Sequence, residues 1–165
     1  MVRLAVIPFD VPETFAPPGN ESQHFGREIA RKVQAQLYKS GEITIIELFN
    51  QDRWPGKREE FFTGNHRALQ LAADAGYDLV LVGQMEDLRS DQELNIYTKL
   101  IDTSNGITIW SARSTVYSYQ RPLLKVLSDT RIFKDRPDLY AYHERIEEFA
   151  HCTTQAILKD KPVPR

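Results

Sequence analysis

Between Ala68 and Val116 the sequence writes a helix, a buried strand and a hairpin in direct succession, and that order leaves few folds open. Leu69, Ala72 and Ala73 form the apolar stripe of a short amphipathic helix that Asn65 can cap. Gly76 can stop it, because the residue past a helix end often takes the left-handed conformation that glycine tolerates. Tyr77-Asp78 then leads into Leu79-Val80-Leu81-Val82-Gly83. A continuous apolar run of this length predicts a central strand covered on both faces, and Gly83 lets a neighbour approach its backbone closely. Downstream, Leu94, Ile96, Thr98 and Leu100 alternate with Asn95, Tyr97, Lys99 and Ile101. Past Asn105-Gly106, Ile107, Ile109 and Ser111 alternate with Thr108, Trp110 and Ala112 through to Val116. Alternation on both sides of an Asn-Gly pair is the pattern of an antiparallel hairpin. Both strands have one apolar and one mixed face, so helices are expected on one side while the other is partly wet or makes an interface.

The rest of the chain packs on this unit. Arg3 to Phe9 is a short apolar run that predicts a strand stopped or bulged at Pro8, which has no N–H to give a ladder. The proline-bearing stretch from Asp10 to Gly19 predicts a loop. Asn20 can cap a helix in which Phe25, Ile29, Val33 and Leu37 repeat every fourth residue and Gly41 is the stop. Glu42 to Phe49 is β-branched and predicts a second strand, parallel to the first because a helix separates them. Asn50 to Gly64 predicts a long polar connection. At the carboxy-terminal end, Asp135 or Asp138 can cap a last helix whose stripe is Leu139, Tyr142, Ile146, Phe149, Thr153 and Ile157. The expected fold class is therefore α/β: a mixed sheet of about five strands, helices packed mainly on one face, and a long C-terminal helix. The 165 residues are expected to form a single domain, with a core over residues 3–117 and a helical extension over 118–160.

Composition excludes more than it selects. A formal net charge of -2 gives no basic excess with which to hold a nucleic acid. No apolar run approaches the roughly 18 residues of a membrane-spanning helix. The one cysteine, Cys152, cannot form an internal disulfide and is expected to be a small buried apolar residue of a predicted amphipathic helix. Glu86, Asp87, Asp91 and Glu93 cluster near Arg89, and without a pocket to separate their pKa values they predict an exposed acidic strand edge. His24, His66, His143 and His151 fall in three helical segments without the i, i+4 spacing of a metal pair. There is no nucleophile elbow, phosphate loop, dinucleotide fingerprint or Cys-x-x-Cys. No catalytic residue, cofactor or metal is assigned. The residues suited to touch a partner or a membrane are the large apolar ones away from the periodic core: Trp54, Phe61 and Phe62 in the long connection, Trp110 in the hairpin, and Leu123 and Leu124 after it.

Three short motifs in order carry a resemblance. They are Leu4-Ala5-Val6-Ile7-Pro8-Phe9, then Ala75-Gly76-Tyr77-Asp78 followed by the apolar run to Gly83, then Ile101-Asp102-Thr103-Ser104-Asn105-Gly106. Together, from Arg3 to Tyr117, they resemble a bacterial envelope superfamily. It includes the amino-terminal domain of TolB, the curli secretion protein CsgG, the penicillin-binding-protein activator LpoB and the exopolysaccharide-export lipoprotein PelC. The resemblance implies a non-enzymatic periplasmic domain, anchored by lipid to the outer membrane and often assembled into rings. These residues contain no propeller of the TolB kind, no barrel-forming hairpins of the CsgG kind and no long leader of the LpoB kind, so the PelC type is the most similar. The implied role is an oligomeric scaffold in exopolysaccharide export. The alternatives are a lipoprotein that activates a peptidoglycan synthase, or a component of a flagellar or secretion assembly. Implied partners are further copies of the chain, envelope export or cell-wall synthesis proteins and the outer-membrane surface, with no nucleic acid. The first residues already enter a strand and no lipid-bearing cysteine lies near Met1, so the residues alone leave either a cytoplasmic protein or one whose signal was removed. The resemblance implies the second, a periplasmic protein with its export signal and anchor upstream of Met1.

Overall fold

The computed structural model describes residues 1–12, 22–49, 67–86, 93–117 and 139–160. Its elements are β1 (Arg3–Val6), α1 (Ser22–Ser40), β2 (Ile45–Leu48), α2 (Arg67–Asp74), β3 (Leu79–Met85), β4 (Glu93–Asp102), β5 (Thr108–Tyr117) and α3 (Leu139–Asp160). The strands form one mixed sheet in the order β2-β1-β3-β4-β5. β1 runs parallel to β2 and β3, β4 is antiparallel to β3, and β5 is antiparallel to β4. The two edge strands, β2 and β5, therefore point the same way.

Alternation along the strands decides which side each helix takes. Leu4 and Val6 of β1, Leu79, Leu81 and Met85 of β3, and Ile96 and Leu100 of β4 face α1 and α3, and with them form the main core. From α1 come Phe25, Ile29, Ala30, Val33 and Leu37, the stripe its periodicity predicts, and from α3 come Ile146, Phe149, Ala150 and Ile157. Ala5, Ile7 and Val80, the residues between, point the other way and pack with Ala72 of α2 in a smaller cluster. Two helices thus share one face, and α2 covers part of the opposite one.

Phe9 joins the layers on the main side. Its ring lies so close to Gly83 that a Cβ built there would stand 2.2 Å from Cε2, and it meets Phe149 of α3 edge-on at 5.9 Å between ring centres. Its backbone N–H donates to the Gly26 carbonyl of α1 at 3.0 Å. A β-carbon on Gly26 would come within 1.9 Å of the Phe9 oxygen, so α1 can dock this deeply only with glycine there. The expected close approach at Gly83 is thus an aromatic ring from β1's own continuation.

The strands are shorter than their apolar runs. β1 ends at Val6 because Pro8 has no donor, yet the chain stays beside β3: the Ile7 N–H donates to Leu81, and Asp10 exchanges bonds with Gly83 and Met85. β2 starts at Ile45 rather than Glu42, since Gly41 at φ 70° closes α1 and the following residues turn the chain. The β4–β5 connection is wider than an Asn-Gly pair alone. The Asp102 N–H reaches Ile107 O at 3.0 Å, the Gly106 N–H reaches Asp102 O at 2.9 Å, and Gly106 has φ 72°. A shift in register follows between Leu100 and Ile101. The expected caps at Asn20, Asn65 and Asp135 or Asp138, and the connections around them, lie outside the described residues.

Candidate functional site

Two polar constellations stand on the sheet, and they are built differently. The first is where the second and third resemblance-bearing motifs meet, beside Arg3, at the rim from which β1 and β3 start. Thr103 donates its hydroxyl to the Tyr77 carbonyl at 2.6 Å, and its backbone N–H donates to the Asp78 carbonyl at 3.0 Å. The Asp102 carboxylate turns back into its own loop and accepts from the Ser104 N–H at 2.8 Å, the Ser104 hydroxyl at 2.6 Å and the Asn105 amide at 3.4 Å. The hydrogen bonds from Ser104 hold its carboxyl below the usual aspartate range. Asp78 accepts the Arg3 N–H at 2.8 Å. The Arg3 guanidinium in turn donates to the carbonyls of Ala75 and Gly76. Those carbonyls follow α2, whose last turn has no basic residue of its own, so Arg3 supplies the positive charge a helix end favours. Tyr77 lies against Phe49 edge-on and under the Arg3 guanidinium, and its hydroxyl donates to Glu47. Desolvation, and then the bond to Glu47, push the Tyr77 hydroxyl above the ordinary tyrosine value. Most of these bonds answer backbone groups of turns. Their chemistry is that of a clamp on the fold.

The second constellation lies on the face opposite α1 and α3, toward β5. Register places Tyr97 of β4 between Gln84 of β3 and Arg113 of β5. The Tyr97 hydroxyl donates to Glu86 Oε1 at 2.9 Å, Arg113 stands 3.7 Å from the other Glu86 oxygen, and its guanidinium lies 5.5 Å from the Tyr97 ring centre. Next along the ladder, the Thr115 hydroxyl donates to Asn95 at 2.7 Å. The Arg113 side chain is 55% exposed, and Ser111 and Thr115 are exposed beside it. Gln84 is buried, and its Oε1 has no hydrogen-bond partner. This surface offers donors, acceptors and an aromatic ring on a strand face, the makings of a contact surface. Among the described residues no three His, Cys, Asp or Glu side chains converge as metal ligands would, and Cys152, expected to be buried, is exposed on α3.

Of the residues expected to touch partners, Trp54, Phe61, Phe62, Leu123 and Leu124 lie outside the described residues. Trp110 requires a correction: it faces the main core, is 7% exposed, and donates its indole N–H to Asp160 at the end of α3 at 3.1 Å. Its place in the alternation, opposite Leu100, puts it on the helix-covered side, and that pairing outweighs the aromatic character that suggested a contact role. The expected acidic edge is described only at Glu86, which is half-buried and engaged with Tyr97; residues 87–92 lie outside the described set. Arg113 and Tyr38 were not singled out by sequence. For Arg113 the missing signal was cross-strand register, which sets it opposite Tyr97 once the hairpin turn is counted correctly. Tyr38, 69% exposed near the end of α1, falls outside the four-residue repeat of that helix.

No protein-family model matches the sequence, and no curated protein sequence matches it. Solved structures do. A PelC dodecamer from Paraburkholderia phytofirmans aligns at 17% identity over 99% of this chain and 89% of PelC, with a TM-score of 0.53. A Xanthomonas campestris protein of the DUF330 family aligns at 10% identity over 96% of this chain and 85% of its own, with a TM-score of 0.56. TolB from Acinetobacter baumannii aligns at 14% identity over 96% of this chain but 28% of TolB, with a TM-score of 0.54. At these identities the likeness is one of fold. The fold of this chain is similar to those of PelC and TolB, two of the proteins that the three motifs resemble.

Proposed function

We propose that this chain is a non-enzymatic accessory subunit of the bacterial envelope, working in the periplasm as a homo-oligomeric scaffold for exopolysaccharide export. The observation that carries the proposal is the extent of the structural match: PelC, solved as a dodecamer, aligns along nearly the whole chain, α3 included. The polar residues support it. The residues at the strand-start rim spend most of their hydrogen bonds on turns and a helix end, and the second constellation stands on a partly exposed strand face suited to contact. No helix of the described residues is long and apolar enough to cross a membrane, so residence at the outer membrane would rest on an anchor or a partner.

Size-exclusion chromatography with light scattering tests the oligomeric role directly. A defined assembly is expected at micromolar concentration, and a strict monomer at every concentration up to millimolar would overturn it. Export is tested in the source cell: loss of the gene is expected to abolish secreted polysaccharide while its synthesis continues. Unchanged secretion would remove the export role.

A further inference from the structure

The sheet has two edges that differ in length and charge. β5 is ten residues long, and its sequence, Thr-Ile-Trp-Ser-Ala-Arg-Ser-Thr-Val-Tyr, contains no proline or glycine and a single charge, Arg113. Long edge strands usually carry several charges, a proline or a bulge that discourages pairing; β5 has one register irregularity, at Ile109 near its start, and pairs regularly with β4 from Trp110 to Tyr117. Among the described residues no strand pairs with the outer side of β5. The other edge, β2, is four residues long and carries Glu47, whose side chain is 50% exposed. Glu47 pairs in register with Ala5, and Ala5 with Val80, which puts it on the face opposite α1 and α3. Arg113 pairs with Tyr97 on that same face.

We propose that these edges are the two halves of a head-to-tail interface between copies of this chain, with β5 of one copy receiving β2 of the next and Arg113 set against Glu47. The proposal rests on the oligomeric role above and names the surfaces that would carry it. Direction fits: β2 and β5 point the same way, so a neighbour added beside β5 without being turned over presents β2 in parallel orientation. Its helix-covered face then lies on the same side as that of the first copy. Charge fits, because the one cation of β5 and the one anion of β2 share the face opposite α1 and α3 and each keeps about half its side chain exposed. The helix flank fits as well. Gln34 of α1 reaches across to the Ile46 carbonyl of β2, and Tyr38, one turn further along the same flank, is the most exposed aromatic of the described residues. Joining β2 to a neighbour's β5 would bring that ring against the other copy. Since the two surfaces differ, each copy can engage one neighbour on either side, which is the form of contact that builds rings or filaments rather than two-fold dimers.

Charge exchange tests this. In light scattering, Arg113→Glu is expected to raise the dissociation constant of the assembly at least about tenfold by setting two carboxylates together, and Glu47→Lys to do the same with two cations. The double variant, with the charges exchanged, is expected to recover the assembly. Glu47 also accepts from Tyr77 and from the Arg3 guanidinium at 3.5 Å within its own chain, so Glu47→Gln, which keeps an acceptor, replaces the lysine variant if circular dichroism shows that one unfolded; it is expected to weaken assembly without inversion. A parent chain that is always monomeric overturns the oligomeric role and the interface together. A parent that assembles, with single variants that assemble as well as it does, overturns the interface alone. So does an Arg113→Glu defect with no effect at position 47, which would assign β5 to a two-fold contact or to a different protein.

Discussion

The strand-start rim and the β5 flank draw on much the same side chains: carboxylates, hydroxyls, an amide, a tyrosine and an arginine. At the rim those groups are turned toward backbone. Thr103 answers the Tyr77 and Asp78 carbonyls, Arg3 answers Ala75 and Gly76, and Asp102 answers the Ser104 N–H. On the flank Tyr97, Glu86, Arg113, Asn95 and Thr115 are bonded to each other across a face where Arg113 is half-exposed. A backbone group that loses its partner inside a turn costs the fold directly, whereas a surface side chain that loses its partner can turn to water. Polar residues therefore fix geometry at the first place and remain replaceable, and available to a neighbour, at the second. Two of the three resemblance-bearing motifs, Ala75 to Asp78 and Asp102 to Asn105, sit at the first place.

Removing the Asp102 carboxylate strikes this contrast hardest. Asp102→Ala leaves the Ser104 N–H and hydroxyl and the Asn105 amide without their common acceptor in a loop that also holds β3 through Thr103. The expected loss is about 2 kcal/mol, or roughly 6 °C in a thermal melt for a chain of this size. The sign of its pH dependence follows from the same bonds. Its folded pKa lies below the unfolded value of about 3.9, so the stabilisation is complete above that value and is lost as pH falls through the folded pKa. Asp102→Ala should flatten that part of the acid limb in denaturant titrations. A melt unchanged by the substitution would mean the rim is no clamp.

Tyr77 tests the same rim from the alkaline side, with a smaller effect. Its hydroxyl pKa is raised in the fold, first by desolvation and then by Glu47. Its contribution is therefore present below about pH 10, the ordinary tyrosine value, and fades as pH rises through the folded value. Tyr77→Phe keeps the ring under Arg3 and against Phe49 and removes only the hydroxyl, so about 0.5–1 kcal/mol should be lost at neutral pH. The gap between parent and variant should close above pH 10. A gap that widens there would show that the hydroxyl is not held neutral by its surroundings.

The two regions also differ in how far the sequence revealed them. The order of elements, the core stripe of α1, the central place of β3 and the inward face of β4 all follow from apolar spacing, because burial is paid for by apolar side chains whose period records the geometry. Gly41, Gly76 and Gly106 could be placed because each takes a positive φ that other residues resist. What Thr103 and Arg3 do could not be read, since their partners are backbone groups far along the chain: Arg3 lies 73 positions from the Gly76 carbonyl it caps. Trp110 was misjudged for a related reason. An aromatic residue in a hairpin can face either side, and only its register against Leu100 decides. The flank was least legible of all, because surface polar residues carry no period beyond that of their strand.

The smallest expected effect is therefore the most informative about the flank. Arg113 stands over Tyr97 and 3.7 Å from Glu86, with more than half of its side chain in water, and exposed pairs of this kind contribute little because solvent screens them. Arg113→Ala should change the stability of the separated chain by no more than about 0.5 kcal/mol, measured in denaturant at a concentration where no assembly forms. The same substitution, measured where copies associate, should weaken association, because there the guanidinium would lose a carboxylate shielded from solvent by the neighbouring strand. If the separated chain lost 2 kcal/mol or more, as expected for Asp102→Ala, the guanidinium would be holding the fold together, and the flank would be a second clamp rather than a surface left for a partner.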